Sequence, residues 1–93
     1  MAVHGLGHLD MAASYFTLGI VHFLQRNYEK ALELYAKSLD IMIRVRGQDH
    51  MDVAAVYKNM SCVYYKQNKY EEALALYSKS LDIFLKVCLL EGF

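Results

Sequence analysis

The chain contains no proline, two cysteines and five glycines, and each scarcity removes a class of protein. Two cysteines are too few for a disulfide scaffold, and the spacing of Cys62 and Cys88 fits no zinc-ligand pattern. The glycines (Gly5, Gly7, Gly19, Gly47, Gly92) are scattered, so they build no phosphate-cradling loop. Ten basic and ten acidic side chains leave a net charge of zero, without the basic surplus that a nucleic-acid binder carries. The N-terminus lacks a charged start followed by an apolar core, so no signal peptide is expected. The uncharged run Met11–Gln25 includes Ser14, Thr17, His22 and Gln25, whereas a membrane span needs roughly 18 apolar residues. No membrane partner is expected, and a cytoplasmic location is the expectation that remains. What the chain does have is apolar: 56% hydrophobic residues with eight Tyr and four Phe, a composition that excludes disorder.

An internal repeat organises these residues. Shifted by about 42 positions, the two halves align without a gap. Val3-His4-Gly5 falls on Val45-Arg46-Gly47, and His8-Leu9-Asp10 on His50-Met51-Asp52. Leu34 to Ile41 returns at Leu76 to Ile83 with a single change, Ala36 to Ser78. Each repeat reads as two helices. Met11, Tyr15, Leu18 and His22 recur at intervals of three and four along one face of the first, with Asp10 placed to act as its N-cap. Arg26-Asn27 breaks the pattern, because Asn tolerates the left-handed conformation that ends a helix. The second helix runs from about Tyr28 to Arg46, with Ala31, Leu32, Tyr35, Ser38, Leu39 and Met42 inward, and Gly47 stops it. The second unit repeats this with Tyr57, Met60 and Tyr64, a break at Asn68-Lys69, then Ala73, Leu74, Tyr77, Ser80, Leu81 and Phe84. Asp40 with Arg44 and Asp82 with Lys86 have the spacing of supporting ion pairs on exposed helix faces. No segment reads as a strand, and the chain is expected to be all-α.

These repeats resemble a known family. Leu18-Gly19-x-x-His22 followed by Tyr28-x-x-Ala31-x-x-x-Tyr35-x-x-Ser38 looks like a tetratricopeptide repeat. Met60-Ser61-x-x-Tyr64 with Tyr70-x-x-Ala73-x-x-x-Tyr77-x-x-Ser80 is the second copy. The ordinary unit is about 34 residues; the longer period here is similar to the repeats of the kinesin light chain and its relatives. The family's His-Pro-Asp linker appears as His8-Leu9-Asp10 and His50-Met51-Asp52, without proline. Ser38, Ser80 and Ser61 replace the family's usual Ala, Ala and Gly. The resemblance implies an α-solenoid of two helix-turn-helix units with right-handed superhelical stacking. The whole chain, 1–93, is read as a single domain, with repeat one over about 8–46 and repeat two over about 50–88.

The resemblance also implies a non-catalytic module that binds a peptide or partner helix on the concave face of its first helices. That face would be Phe16, Thr17, Ile20, Phe23 and Leu24 beside Lys58, Asn59, Cys62, Tyr65 and Lys66. In kinesin-light-chain-like repeats, paired asparagines on this helix grip the peptide backbone. Asn59 matches; Thr17 is its counterpart, and Phe16 and Lys58 replace the other member of each pair. Two readings stand for Phe16 and Ile20, since an apolar stripe at helical spacing is more often core than binding site. Lys58 and Lys66 equally have a plain reading as solvated surface.

Repeat proteins usually need about three units with polar caps. Val3-His4-Gly5 matches the tail of a preceding helix, as though cut from a longer array. The last helix carries Leu76, Ile83, Leu85, Leu89 and Leu90, which the short stretch Glu91-Gly92-Phe93 is not expected to cover. These flanks predict self-association into at least a dimer, and a self-assembly module is the alternative function. No enzyme, metal site or cofactor is expected. His4 and His8 have the spacing of helical metal ligands, but Gly5 and Gly7 place them in a loop, and the carboxylates lie on helix exteriors.

Overall fold

A computed structural model describes residues 4–90, with side chains described from His8 to Leu89. Four helices follow one another: α1 (His4–Leu24), α2 (Tyr28–Arg46), α3 (Met51–Lys66) and α4 (Tyr70–Leu90). There is no strand among the described residues. α1 packs on α2, α3 on α4, and α2 on α3, so two helix pairs form a slab of 39 × 34 × 16 Å. The architecture is the all-α helical repeat expected from the sequence.

Helix ends follow local chemistry, with three departures from expectation. α1 begins at His4 rather than at Asp10, so Asp10 lies inside the helix and caps nothing, and His4 and His8 are helical. Arg26, not Asn27, takes the left-handed conformation after α1 (φ 67°), whereas Asn68 takes it after α3 (φ 65°). Both ends close in the same way. Asn27 N–H donates to the His22 carbonyl (2.8 Å) and Lys69 N–H to that of Tyr64 (2.9 Å), with Arg26 and Asn68 N–H bonding to Phe23 and Tyr65. These are the paired bonds of a Schellman end, whose penultimate residue must have positive φ. Geometry decides that position, and an Arg is strained into it. α2 ends at Gly47 (φ 87°), whose N–H donates to Ile43 (2.8 Å), as its glycine leads one to expect. The third departure is Lys86, which pairs with Asp49 of the linker (3.7 Å) rather than with Asp82, while Arg44 does pair with Asp40 (3.2 Å).

Small residues let each pair close. Ala12, Gly19 and Ala31 are buried, and the Tyr35 ring lies over Gly19 so closely that a Cβ there would stand 2.6 Å from it. Ser38 and Ser80, where the family usually has Ala, donate their hydroxyls to the carbonyls of Ala12 (2.9 Å) and Ala54 (2.8 Å). Both are buried bonds that join the helices of a pair at repeat-equivalent points. Outside, the Lys37 ammonium sits 5.5 Å over the Tyr15 ring and Lys79 5.5 Å over that of Tyr57.

One core cluster, of Ala31, Tyr35, Val56 and Val63, joins the two pairs, with Phe16, Ile20, Phe23, Leu32, Leu39 and Met60 packed on it. A second, of Val53, Ala54 and Ile83, takes Leu39, Met42, Ile43, Tyr57 and Val87. Ile83 therefore belongs to the core and is not free for association. The stripe Met11–Tyr15–Leu18–His22 is not the inward face of α1: Met11 and Leu18 are exposed, and α1 turns Ala12, Phe16, Gly19 and Phe23 inward. The reason is that α2 approaches α1 along its small residues, and the apolar stripe one residue away is left on an outer flank.

Candidate functional site

A cleft of about 360 Å³ opens between the first helices of the two units. α1 lines it with Leu9, Ala13, Phe16 and Thr17, α3 with Asp52, Ala55 and Val56, and α2 with Met42 and Arg46 at one end. Its walls are apolar because Ala13 and Ala55 are short enough to leave space between the helices while Phe16 forms the floor. Phe16 is half-buried, with its ring centroid 5.6 Å from that of Tyr35. At the rim, Arg46 Nε lies 3.5 Å from Asp52 Oδ2, and His50 Nδ1 accepts the Asp52 N–H at 3.0 Å. His50 is the N-cap of α3, a structural role in keeping with its linker position.

The groove residues expected from the sequence divide between two places. Phe16 and Thr17 line the cleft. Ile20 and Phe23 are half-buried on the core cluster, Phe23 packed 5.8 Å from the Tyr28 ring, and Leu24 is exposed beyond them. Phe16 packs on the core cluster and also lines the cleft. Asn59 is half-buried and donates to the Tyr35 hydroxyl (3.4 Å), so its amide is engaged inside the chain. Burial pushes the Tyr35 phenol above its ordinary value; the Asn59 bond opposes this and Cys62 adds to it.

Lys58, Cys62 and Tyr65 lie elsewhere, along a trough on the outer side of α3 and α4. Its upper part, about 400 Å³, is lined by Met51, Ala54, Ala55, Lys58, Tyr77, Ser80, Leu81 and Phe84, and its lower part, about 350 Å³, by Cys62, Tyr65, Tyr70, Leu74 and Tyr77; Ala55 also lines the cleft. Lys66 is exposed and lines neither space. These residues share the register of Phe16 in the repeat, which is why periodicity groups them with it. Periodicity gives no weight to Ala13 and Ala55, whose only signal is smallness at repeat-equivalent positions.

Of the flank residues expected to self-associate, Leu85 and Leu89 are exposed, Leu76 is half-buried and Ile83 is buried. The side chain of Leu90 lies outside the described residues. The larger exposed apolar surface on α4 is Leu74, Tyr77, Leu81 and Phe84, residues that read from the sequence as inward. Both cysteines are free, Cys62 exposed and Cys88 half-buried. Among the described residues no three His, Cys, Asp or Glu side chains converge as metal ligands, and no helix is long and apolar enough to cross a membrane.

Comparison with curated proteins found no match. The family model for the tetratricopeptide repeat matches residues 2–86, nearly the whole of the helical pattern. Members of that family serve in general as protein-interaction modules and are typically non-catalytic. Paired helices closed over Gly19 and Ala31, the repeat-equivalent Tyr35 and Tyr77, and this match together place the chain in the tetratricopeptide-repeat family.

Proposed function

We propose that the chain is a non-catalytic binding module that takes an extended peptide, or one face of a partner helix, in the cleft between α1 and α3. The observation that carries this reading is the cleft itself: apolar, open, and walled by Ala13, Thr17 and Ala55, all exposed. An apolar side chain of the partner is expected to anchor over Phe16, and the exposed Lys58 and Lys66 on α3 favour an acidic residue nearby. The test is to select peptides on the wild-type chain and titrate them against the double variant Ala13→Arg/Thr17→Arg, which fills the cleft from exposed positions that do not line the α3–α4 trough. Affinity should fall at least about tenfold, or 1.4 kcal/mol. Unchanged affinity removes the cleft from consideration. Lys58→Glu should weaken only those peptides that carry an acid.

A second reading, self-association, is favoured by the exposure of Leu74, Tyr77, Leu81 and Phe84 on α4. It is compatible with the first, because the trough and the cleft are separate spaces that adjoin at Ala55 of α3.

A further inference from the structure

The chain contains its own example of what fills the trough on α3 and α4. In the first unit the repeat-equivalent trough is occupied by α3, which inserts Val53, Val56, Met60 and Val63 against α2. Tyr35 is thereby 1% exposed, while Tyr77, its equivalent in the second unit, is 50% exposed. The same difference appears in mirror form at the other end. The face of α3 that does the filling corresponds to Met11, Ser14, Leu18 and Val21 of α1, and Val63 is 0% exposed where Val21 is 43%. Among the described helices, α3 and α4 carry the open trough at one end, and α1 at the other carries the helix face that closes such a trough.

We propose that α1 of a second copy seats in the α3–α4 trough, so that chains stack head to tail and each junction builds a second binding cleft shared between two copies. This rests on the self-association reading and gives it a direction. The cleft follows from the repeat. What α1 and α3 form within a chain, α3 of one copy and α1 of the next form across the junction. One side is then Met51, Ala55 and Lys58, and the other is Ala13 and Asp10 of the incoming copy. This accounts for Lys58, a groove residue by register that lines no α1–α3 cleft within the single chain.

Charge agrees with the arrangement. Within the chain Asp52 meets Arg46 (3.5 Å), but the equivalent of Arg46 at the junction is Cys88, and the cation there is Lys58, standing where the first unit has Phe16. Asp10 of the incoming copy thus faces Lys58. The lengths agree as well. α4 has 21 residues against 19 in α2, and α1 has 21 against 16 in α3, so both helices at the junction run past the point where Gly47 turns the chain within a molecule. A head-to-tail contact of this kind does not close on itself, and the stack grows with concentration.

The experiment uses two variants of the 93-residue chain, both altered only at exposed positions. Met11→Glu/Leu18→Glu blocks the head, and Leu74→Glu/Leu81→Glu blocks the tail. Circular dichroism verifies that each remains helical, and light scattering gives the mass. The wild type is expected to grow from one chain toward several as concentration rises. Each variant alone should stay monomeric, and their mixture should form a 1:1 pair and nothing larger. A wild type that is monomeric at every concentration overturns the proposal together with self-association. A dimer of fixed size, or a mixture whose members ignore each other, overturns the head-to-tail arrangement alone. If a variant loses its helicity, Leu18→Gln and Leu81→Gln replace the pairs and the same outcomes apply. Asp10→Lys should weaken stacking and Lys58→Asp should restore it in the double variant. Peptide binding by the tail-blocked monomer reads the α1–α3 cleft independently, so that failure of stacking and failure of the proposed function are told apart.

Discussion

Gly19 and Arg26 show how single side chains set the terms of packing in this chain, in opposite directions. An alanine at position 19 would gain about 1 kcal/mol of helix propensity. Its Cβ, however, would sit 2.6 Å from the Tyr35 ring, which is held in the core between both helix pairs. Overpacking of that kind costs about 1–3 kcal/mol, and Gly19→Ala is expected to be a net destabilisation of about 1 kcal/mol, read as a lower urea midpoint at constant slope. The second unit tolerates Ser61 at the same place because Tyr77 is half exposed and free to shift. Arg26 is the reverse case, a side chain in a left-handed position that its neighbour unit gives to Asn68. Arg26→Asn should stabilise by about 0.5–1 kcal/mol, and a variant no more stable than wild type would show that the Schellman end carries no strain. Tyr35 adds a pH dependence. Burial raises its folded-state value, so the folded chain holds the phenolic proton more tightly than the unfolded chain. That stability is complete below the unfolded value near 10 and is lost as pH rises above it. Chemical unfolding between about pH 8 and 11 should therefore show a smaller alkaline loss for Tyr35→Phe than for wild type.

At the scale of elements, the two units are held closed by the same devices, and the differences between them are informative. Ser38 and Ser80 each tie one helix to the next through a buried hydroxyl, and the bonds lie at equivalent points in the two pairs. A net contribution of about 1 kcal/mol is usual for such a bond, partly offset on removal because Ala is the better helix former. The α3 N-terminus depends on His50, whose ring accepts the Asp52 N–H at 3.0 Å. His50→Ala should cost about 1 kcal/mol and His50→Asn should recover most of it, measured by thermal unfolding. The surface pairs, Arg44 with Asp40 and Lys86 with Asp49, are exposed and contribute little. Much at this scale is legible in the amino-acid sequence. α2 runs from Tyr28 to Arg46 as its periodicity and Gly47 dictate, since both signals are local. The start of α1 is less legible, because Asp10 is a good cap in isolation while the helix continues upstream through two glycines to His4.

At the scale of the whole molecule, the main interface that couples the two units among the described residues is that between α2 and α3. Val56 and Val63 are fully buried in it. Replacing Val63 by Ala should cost about 2 kcal/mol and loosen the coupling between pairs, since repeat proteins owe their cooperativity to nearest-neighbour contacts. Unfolding followed by far-ultraviolet circular dichroism and by tyrosine fluorescence should coincide for wild type and separate for the variant. Coincident curves in both would mean that each pair is held by its neighbour through other residues.

The order of residues along the chain suffices for the helices, their pairing and the family, because a period of about 3.6, a stop at Gly47 and small residues at Gly19 and Ala31 act over a few residues at a time. Which of two equivalent surfaces is inside depends on the tertiary structure. Leu32, Tyr35 and Leu39 read the same as Leu74, Tyr77 and Leu81, and all six point inward on pattern alone. Only the first three are covered, because α3 lies against them and no described helix lies against the others. Burial is a property of the neighbour as much as of the residue. For the same reason Ile83, a flank residue by pattern, is core, and Phe16 is both core and cleft, while Lys58 shares its register and lies in a different space.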